Sequence, residues 1–308
     1  ERMTSNYLRF WGVRGSYPAP FETHLRAGGN TSCVEIRVGD HLLVCDAGSG
    51  VIPLGNLLMG QSQIRDLLVI LTHYHWDHIS GLPFFVPAFT QDWRLEFFGP
   101  GKNPVEIEES LAEQMRAPYF PVETETWLAD IRYRRVNNGA FSHGPIQIQT
   151  FNVHHPGTTF GYRIQAAGKT IVYVSDNELL FLDHSINQRL DRRDMDEQEQ
   201  ALLREMKEEE KWTALKFMMD ADILIHDAQY SPEDYQKKRG WGHSCYIDTV
   251  NCAIDARVKN LYLYHLDPNY PDAVVDDLHR RSLKIIHHRK SSLRCYVARE
   301  GHVVDLDR

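Results

Sequence analysis

The chain has 308 residues, 42% hydrophobic and 25% charged, enough apolar side chain to pack a core and too much for a disordered protein. Lys and Arg total 34 against 42 Asp and Glu, a formal charge of −8 that argues against duplex nucleic acid bound through its phosphates. The longest apolar run, ending at Leu71, is far short of a bilayer span and no basic-then-apolar leader opens the sequence, so a cytoplasmic location without a membrane partner is expected.

In chain order, Tyr7 to Trp11, Ser32 to Val38 and His41 to Cys45 read as strands, the last two joined by a Gly39-Asp40 turn. Ile52 to Met59 reads as a short helix, and the continuously apolar Leu67 to Leu71 as a strand buried on both faces. Gly81 to Ala88 follows as helix or loop, Arg94 to Phe98 as a strand, and Pro104 to Met115 as a helix before Pro118 and Pro121 break the pattern. The second half repeats the rhythm with strands at Ile146 to Asn152, Phe160 to Ala166, Thr170 to Val174, Ile223 to His226, Leu261 to Tyr264 and Leu293 to Ala298. Between them lie helices at Ala201 to Asp220, Cys245 to Asp255 and Val274 to Ser282. The reading is a single α/β (α+β) domain over 1–308, its two β-rich halves stacked as sheets with helices outside, and with a charged, solvated helical insertion at about 183–220. Cys33, Cys45, Cys245, Cys252 and Cys295 form an odd set without CxxC spacing, which fits reduced thiols and neither a disulfide framework nor a cysteine zinc site.

The chemistry concentrates in Thr72-His73-Tyr74-His75-Trp76-Asp77-His78, directly after the buried strand. Alternation puts His73 and His75 on one side of an extended segment, and Asp77 and His78 follow as the chain turns. Imidazole and carboxylate together suit zinc, iron or manganese better than calcium or magnesium. One loop cannot close two coordination spheres, so further ligands are expected at later strand ends, where His154-His155, Asp176 and His265 stand. Trp11-Gly12-Val13-Arg14-Gly15-Ser16 leaves a strand through glycines, which either sets Arg14 beside a phosphate or makes an ordinary turn. Tyr74, Trp76, Phe84, Phe85 and Trp241 either stack on a base or wall the cleft.

The HxHxDH string at His73 to His78, preceded by Asp46 in Val44-Cys45-Asp46-Ala47-Gly48, resembles the metallo-β-lactamase-fold hydrolases. Gly29-Asn30-Thr31-Ser32, His155 ahead of Gly161-Tyr162-Arg163, His226-Asp227-Ala228 and Gly242-His243-Ser244 narrow the likeness to the branch holding tRNase Z and related cyclic-nucleotide and other phosphodiesterases. The resemblance implies a four-layer αββα sandwich holding two divalent metal ions, zinc foremost, with iron or manganese as alternatives. It assigns His73, His75 and His155 to one ion, Asp77, His78 and His265 to the other, and Asp176 to both, with His154 as the substitute for His155. Asp46 would orient ligands without touching metal.

It further implies hydrolysis of a small phosphodiester or nucleotide by a hydroxide held between the ions, with Asp77, His243 and Asp227 as catalytic residues. His243 would give the leaving oxygen its proton, and Asp227 would steer the His243 ring. A homodimer fits the resemblance. The rival readings are a lactone or thioester hydrolase of the same fold, a tRNase Z-like RNA 3′-end endonuclease, and a non-enzymatic iron or oxygen sensor.

Overall fold

Strands form here where β-branched and aromatic residues gather without helical spacing, and helices where apolar residues recur every three or four positions. The computed structural model describes residues 5–61, 64–135, 139–182, 186 and 196–308. Its first-half strands are β1 (Asn6–Gly12), β2 (Cys33–Val38), β3 (His41–Cys45), β4 (Asp66–Ile70), β5 (Arg94–Gly99) and β6 (Asp130–Arg135). The second half carries β7 (Ala140–His143), β8 (Ile146–Asn152), β9 (Phe160–Ala166), β10 (Lys169–Val174), β11 (Ile223–Asp227), β12 (Asn260–Tyr264), β13 (Arg294–Val297) and β14 (Val303–Asp305). The helices are α1 (Val51–Gln61), the single turn α2 (Trp76–Ile79), α3 (Pro104–Glu113), α4 (Glu197–Met218), α5 (Pro232–Lys238), α6 (Tyr246–Asp255) and α7 (Asp272–His288).

Two mixed sheets result, ordered β14-β1-β2-β3-β4-β5-β6 and β13-β12-β11-β10-β9-β8-β7. Their inner faces share one core: Leu8, Phe10, Ile36, Leu43 and Ile70 of the first sheet meet Ile148, Ile164, Ile171, Tyr173 and Tyr262 of the second. The outer face of the first sheet, through Leu42, Val44, Val69 and Phe97, packs on Val51, Leu54 and Leu58 of α1 and on Leu111 of α3. The second sheet is covered by α6 and α7, through Val250, Ala253, Val275 and Leu278. The four layers are therefore helix, sheet, sheet, helix, as the sequence resemblance implies.

The strands β3, β4 and β5 run parallel in the first sheet, and β10, β11, β12 and β13 in the second. The carboxyl ends of β3, β4, β10, β11 and β12 lead into most of the residues of the site.

Several boundaries differ from the sequence reading. Gly81 to Ala88 resolves into two 3-10 turns, Leu82–Phe84 and Val86–Phe89, each with a proline in its first turn. The helix read as Val274 to Ser282 extends to His288, because Ile286 returns to the buried face one turn later. The charged insertion is only partly solvated within the described residues: α4 is capped by Asp196, which accepts from Glu199 N, and buries Leu203, Leu215 and Met218. Phe217 stacks on Phe151 with ring centroids 4.1 Å apart, so the end of α4 belongs to the core. Residues 183–185 and 187–195 of that insertion lie outside the described residues. The five cysteines are free and buried. No helix among the described residues is long and apolar enough to cross a membrane.

Candidate functional site

Most of the sequence-marked residues sit at or shortly after a strand end. Asp46 follows β3, His73 and His75 follow β4, and Asp77 and His78 occupy α2. From the second sheet, His155 follows β8, Asp176 follows β10, Asp227 closes β11 and His265 follows β12. His243 lies in the loop between α5 and α6. Both sheets thus contribute to one place.

There His73, His75 and His155 present ring nitrogens within 4.8 Å of one another, and so do the donor atoms of Asp77, His78, Asp176 and His265. Asp176 divides its oxygens between the groups. Its Oδ1 lies 3.0 Å from His78 Nε2 and 3.4 Å from His265 Nε2, whereas Oδ2 lies 3.8 Å from both His73 Nε2 and His155 Nε2. Asp77 Oδ2 stands 3.1 Å from His265 Nε2 and 3.3 Å from His78 Nε2, and accepts the backbone N–H of Ser16 at 2.7 Å.

Contacts behind the rings fix which nitrogen faces inward. His78 Nδ1 donates to Asp46 Oδ2 at 2.8 Å, His265 Nδ1 to Gln229 Oε1 at 2.8 Å, His155 Nδ1 to the Gly242 carbonyl at 2.8 Å and His73 Nδ1 to Thr72 Oγ1 at 3.0 Å. In its neutral form each therefore carries its proton outward and turns the Nε2 lone pair toward the centre. Asp46 is held by Thr72 N at 2.8 Å and Tyr173 OH at 2.8 Å, behind the ligand-type residues and not among them.

Burial pushes His73, His75 and His155 below the ordinary imidazole value, so their lone pairs stay free near neutrality. Burial would lower His78 as well, but the carboxylates of Asp176, Asp77 and Asp46 outweigh it and hold the ring well above its ordinary value. Burial would raise Asp77 and Asp176; His78 and His265 respectively lead the imidazoles that keep both well below the usual carboxylate range. Three carboxylates crowding one imidazole mark a place that calls for positive charge. His73 Nε2, His78 Nε2 and Asp176 Oδ1 are moreover buried without an aligned hydrogen bond, an expensive condition unless another group satisfies them. Inward lone pairs, orphaned atoms and a nitrogen-and-carboxylate donor set fit two first-row divalent cations.

Beside this cluster, His243 Nδ1 donates to Asp227 Oδ2 at 2.8 Å and stands 3.8 Å from Asp176 Oδ2. Asp227 also accepts Asn177 N at 3.2 Å and Gln229 N at 3.0 Å, which fixes its direction. Burial would lower the His243 pKa, but Asp227 overrides it and carries the ring up to about 9.

Some sequence alternatives are decided by position. His154 is exposed, with its ring stacked on Phe181 at 4.5 Å, so His155 alone of the pair joins the cluster. Arg14 does not face the site: it is fully buried and donates to the carbonyls of Gly28, Tyr270, Asp267 and His24, with Asp272 at 3.6 Å. Arg163 donates to the Phe217 and Met219 carbonyls and ties down the end of α4. Trp76, Phe84 and Trp241 are exposed, whereas Phe85 is fully buried and the Tyr74 hydroxyl donates to Pro100 O. Gln229 was not marked by the sequence reading, although its position two residues after Asp227 was a usable signal.

A model of the metallo-beta-lactamase superfamily matches residues 26–213. Ribonuclease Z of Thermoplasma acidophilum is 24% identical over 303 residues, spanning 89% of this chain and 90% of that protein. Among solved structures, the metallo-beta-lactamase fold protein YhfI of Bacillus subtilis aligns with a TM-score of 0.66 at 21% identity, covering 97% of this chain and 99% of that one. Yeast PDE1 aligns at 0.59 with 16% identity over 98% and 99%. At those identities the structural likeness establishes the fold. The superfamily match takes in well over half of the sequence, and on it the chain belongs to the metallo-beta-lactamase superfamily of metal-dependent hydrolases.

Proposed function

We propose that the protein is a dinuclear metal-dependent phosphodiesterase acting on small phosphodiesters such as cyclic nucleotides. His73, His75 and His155 would hold one cation and Asp77, His78 and His265 the other, with Asp176 placed between the two groups. When bound, such a pair lowers the pKa of water toward neutrality and draws charge from phosphoryl oxygens.

The observation that carries the reading is the His243–Asp227 pair beside the shared carboxylate, with 2.8 Å between Nδ1 and Oδ2. An alkoxide leaving from phosphorus needs a proton, and an imidazolium held by a buried carboxylate supplies one. Asp227 fixes the ring orientation, and Asp46 with Thr72 and Tyr173 holds the ligand loop rigid behind His78. A thioester hydrolase has less use for a dedicated acid, because a thiolate departs readily; a lactone releases an alkoxide, and the substrate panel separates it from a phosphodiester. The net charge of −8 favours small diesters over long RNA. The similarity to proteins named ribonuclease Z, over nine-tenths of the relative's length, favours RNA as the second reading.

Elemental analysis joined to a substrate panel tests both. Two metals per chain with turnover of bis(p-nitrophenyl) phosphate and cyclic nucleotides is the expected result. Two metals with turnover of lactones or thioesters only would refute the proposal, and cleavage confined to 3′-extended RNA would move it to the second reading.

A further inference from the structure

We infer that Glu178 is a positioning residue that locks the loop bearing His243 onto the strand-end loops bearing Asp176 and His155, an inference that rests on the phosphodiesterase reading. Glu178 is 1% exposed and belongs to none of the donor groups described above. Its Oε1 accepts Tyr235 OH at 2.9 Å and Gly240 N at 2.9 Å, while Oε2 accepts Gly242 N at 3.0 Å and Gly240 N at 3.1 Å. Two N–H groups of one short loop can turn to one carboxylate because Gly240 and Gly242 take φ of 82° and 86°. A side chain at position 242 would also press against the His155 ring, its Cβ 2.3 Å from Nδ1.

The same segment grips the loop on the other side of His243. Ser244 Oγ donates to Asn177 O at 2.5 Å and accepts Leu179 N at 3.1 Å. Glu178 N donates to His154 O at 2.7 Å, and the Gly242 carbonyl accepts His155 Nδ1. Both neighbours of His243 are thus fastened to residues 177–179. Three donors converge on the Glu178 carboxylate, which has nothing but acceptors to offer. A carboxamide of the same shape would aim an N–H at one of them, and the loop would shift to escape the mismatch.

The test is Glu178→Gln in the full chain loaded with zinc, assayed on a methyl or other alkyl phosphodiester and on a p-nitrophenyl phosphodiester. Proton donation limits the first and not the second. The expected result is a loss of about 10- to 100-fold on the alkyl ester, the size of one unsatisfied buried donor. On the nitrophenyl ester the change stays within about twofold. Metal content stays that of the wild type, adding Glu178→Gln to His243→Ala costs nothing more, and a crystal structure shows the His243 ring displaced from Asp227. Equal loss on both esters, additive loss with His243→Ala, loss of metal, or an unmoved ring would each overturn the inference. Glu178→Asp, which keeps the charge and retracts it by one methylene, gives the same readouts if the glutamine variant does not fold. Should the wild type turn over neither ester, the phosphodiesterase reading fails separately and the position of the His243 ring decides the inference.

Discussion

Asp227→Asn isolates the proton-donor pair. Asp227 is fully buried, accepts three donors and supplies the charge that lifts His243 against its own burial. The rise from the ordinary 6.5 to about 9 amounts to roughly 3 kcal/mol in favour of the imidazolium, at about 1.36 kcal/mol per pKa unit. Asparagine removes the charge and keeps the shape, so burial regains control and the ring becomes mostly neutral at pH 7. Turnover of an alkyl phosphodiester at pH 7 should then fall by about 10²- to 10⁴-fold, the usual contribution of a positioned acid. In a pH–rate profile the alkaline limb should move from near 9 to below the ordinary imidazole value.

Stability supplies an independent arm. A histidine whose pKa is raised by folding contributes fully below its unfolded value and loses that contribution as pH climbs through the folded one. The urea stability gap between wild type and Asp227→Asn should therefore be widest near about pH 6 and shrink through about 9. An asparagine variant with wild-type turnover and an unmoved alkaline limb, or a stability gap indifferent to pH, would refute the reasoning.

Asp176→Ala removes the carboxylate that faces both histidine groups, and elemental analysis should find one metal or fewer per chain. Arg14→Met strands four backbone carbonyls and Asp272 in the interior; urea denaturation should show a loss of about 3–5 kcal/mol. Glu35 lies between Tyr7 OH and Trp11 Nε1, each at 2.8 Å, and burial raises its pKa. Ionised Glu35 therefore costs stability at neutral pH, a cost relieved on acidification. Glu35→Gln, which can accept from Trp11 and donate to Tyr7, should melt higher than wild type at pH 7, with the advantage fading as pH falls toward the ordinary glutamate range.

The ligand-type residues were legible because their signal is local. His73 to His78 crowd a single loop after a strand that is apolar on both faces, and Asp176 and His265 each end a strand that reads clearly by itself. Elements without a strong apolar signature escaped notice: Asp130–Arg135 is an edge strand rich in charge, Val303–Asp305 is only three residues long, and the short strand Ala140–His143 and helix Pro232–Lys238 are mostly polar. Arg14 was ambiguous because its partners are main-chain carbonyls, two of the four more than 250 residues away, and a carbonyl leaves no mark in a sequence. Glu178 escaped for the same reason, since two of its three donors are glycine N–H groups. Side-chain ligands are spelled out in a sequence, whereas the backbone atoms that aim them depend on loop conformation.

The donor groups come from both halves of the polypeptide: three of the seven ligand-type residues follow strands of the second sheet, and four follow β4 of the first. Under the proposed dinuclear reading, cation capture would thereby be linked to docking of one half on the other, since neither half owns a complete set. Anything that binds only the docked arrangement stabilises it by mass action, about 2.7 kcal/mol at one hundred times the dissociation constant. On that dinuclear reading, metal supply in the surrounding medium should then control how long the whole sandwich survives heat or protease, beyond any effect on turnover.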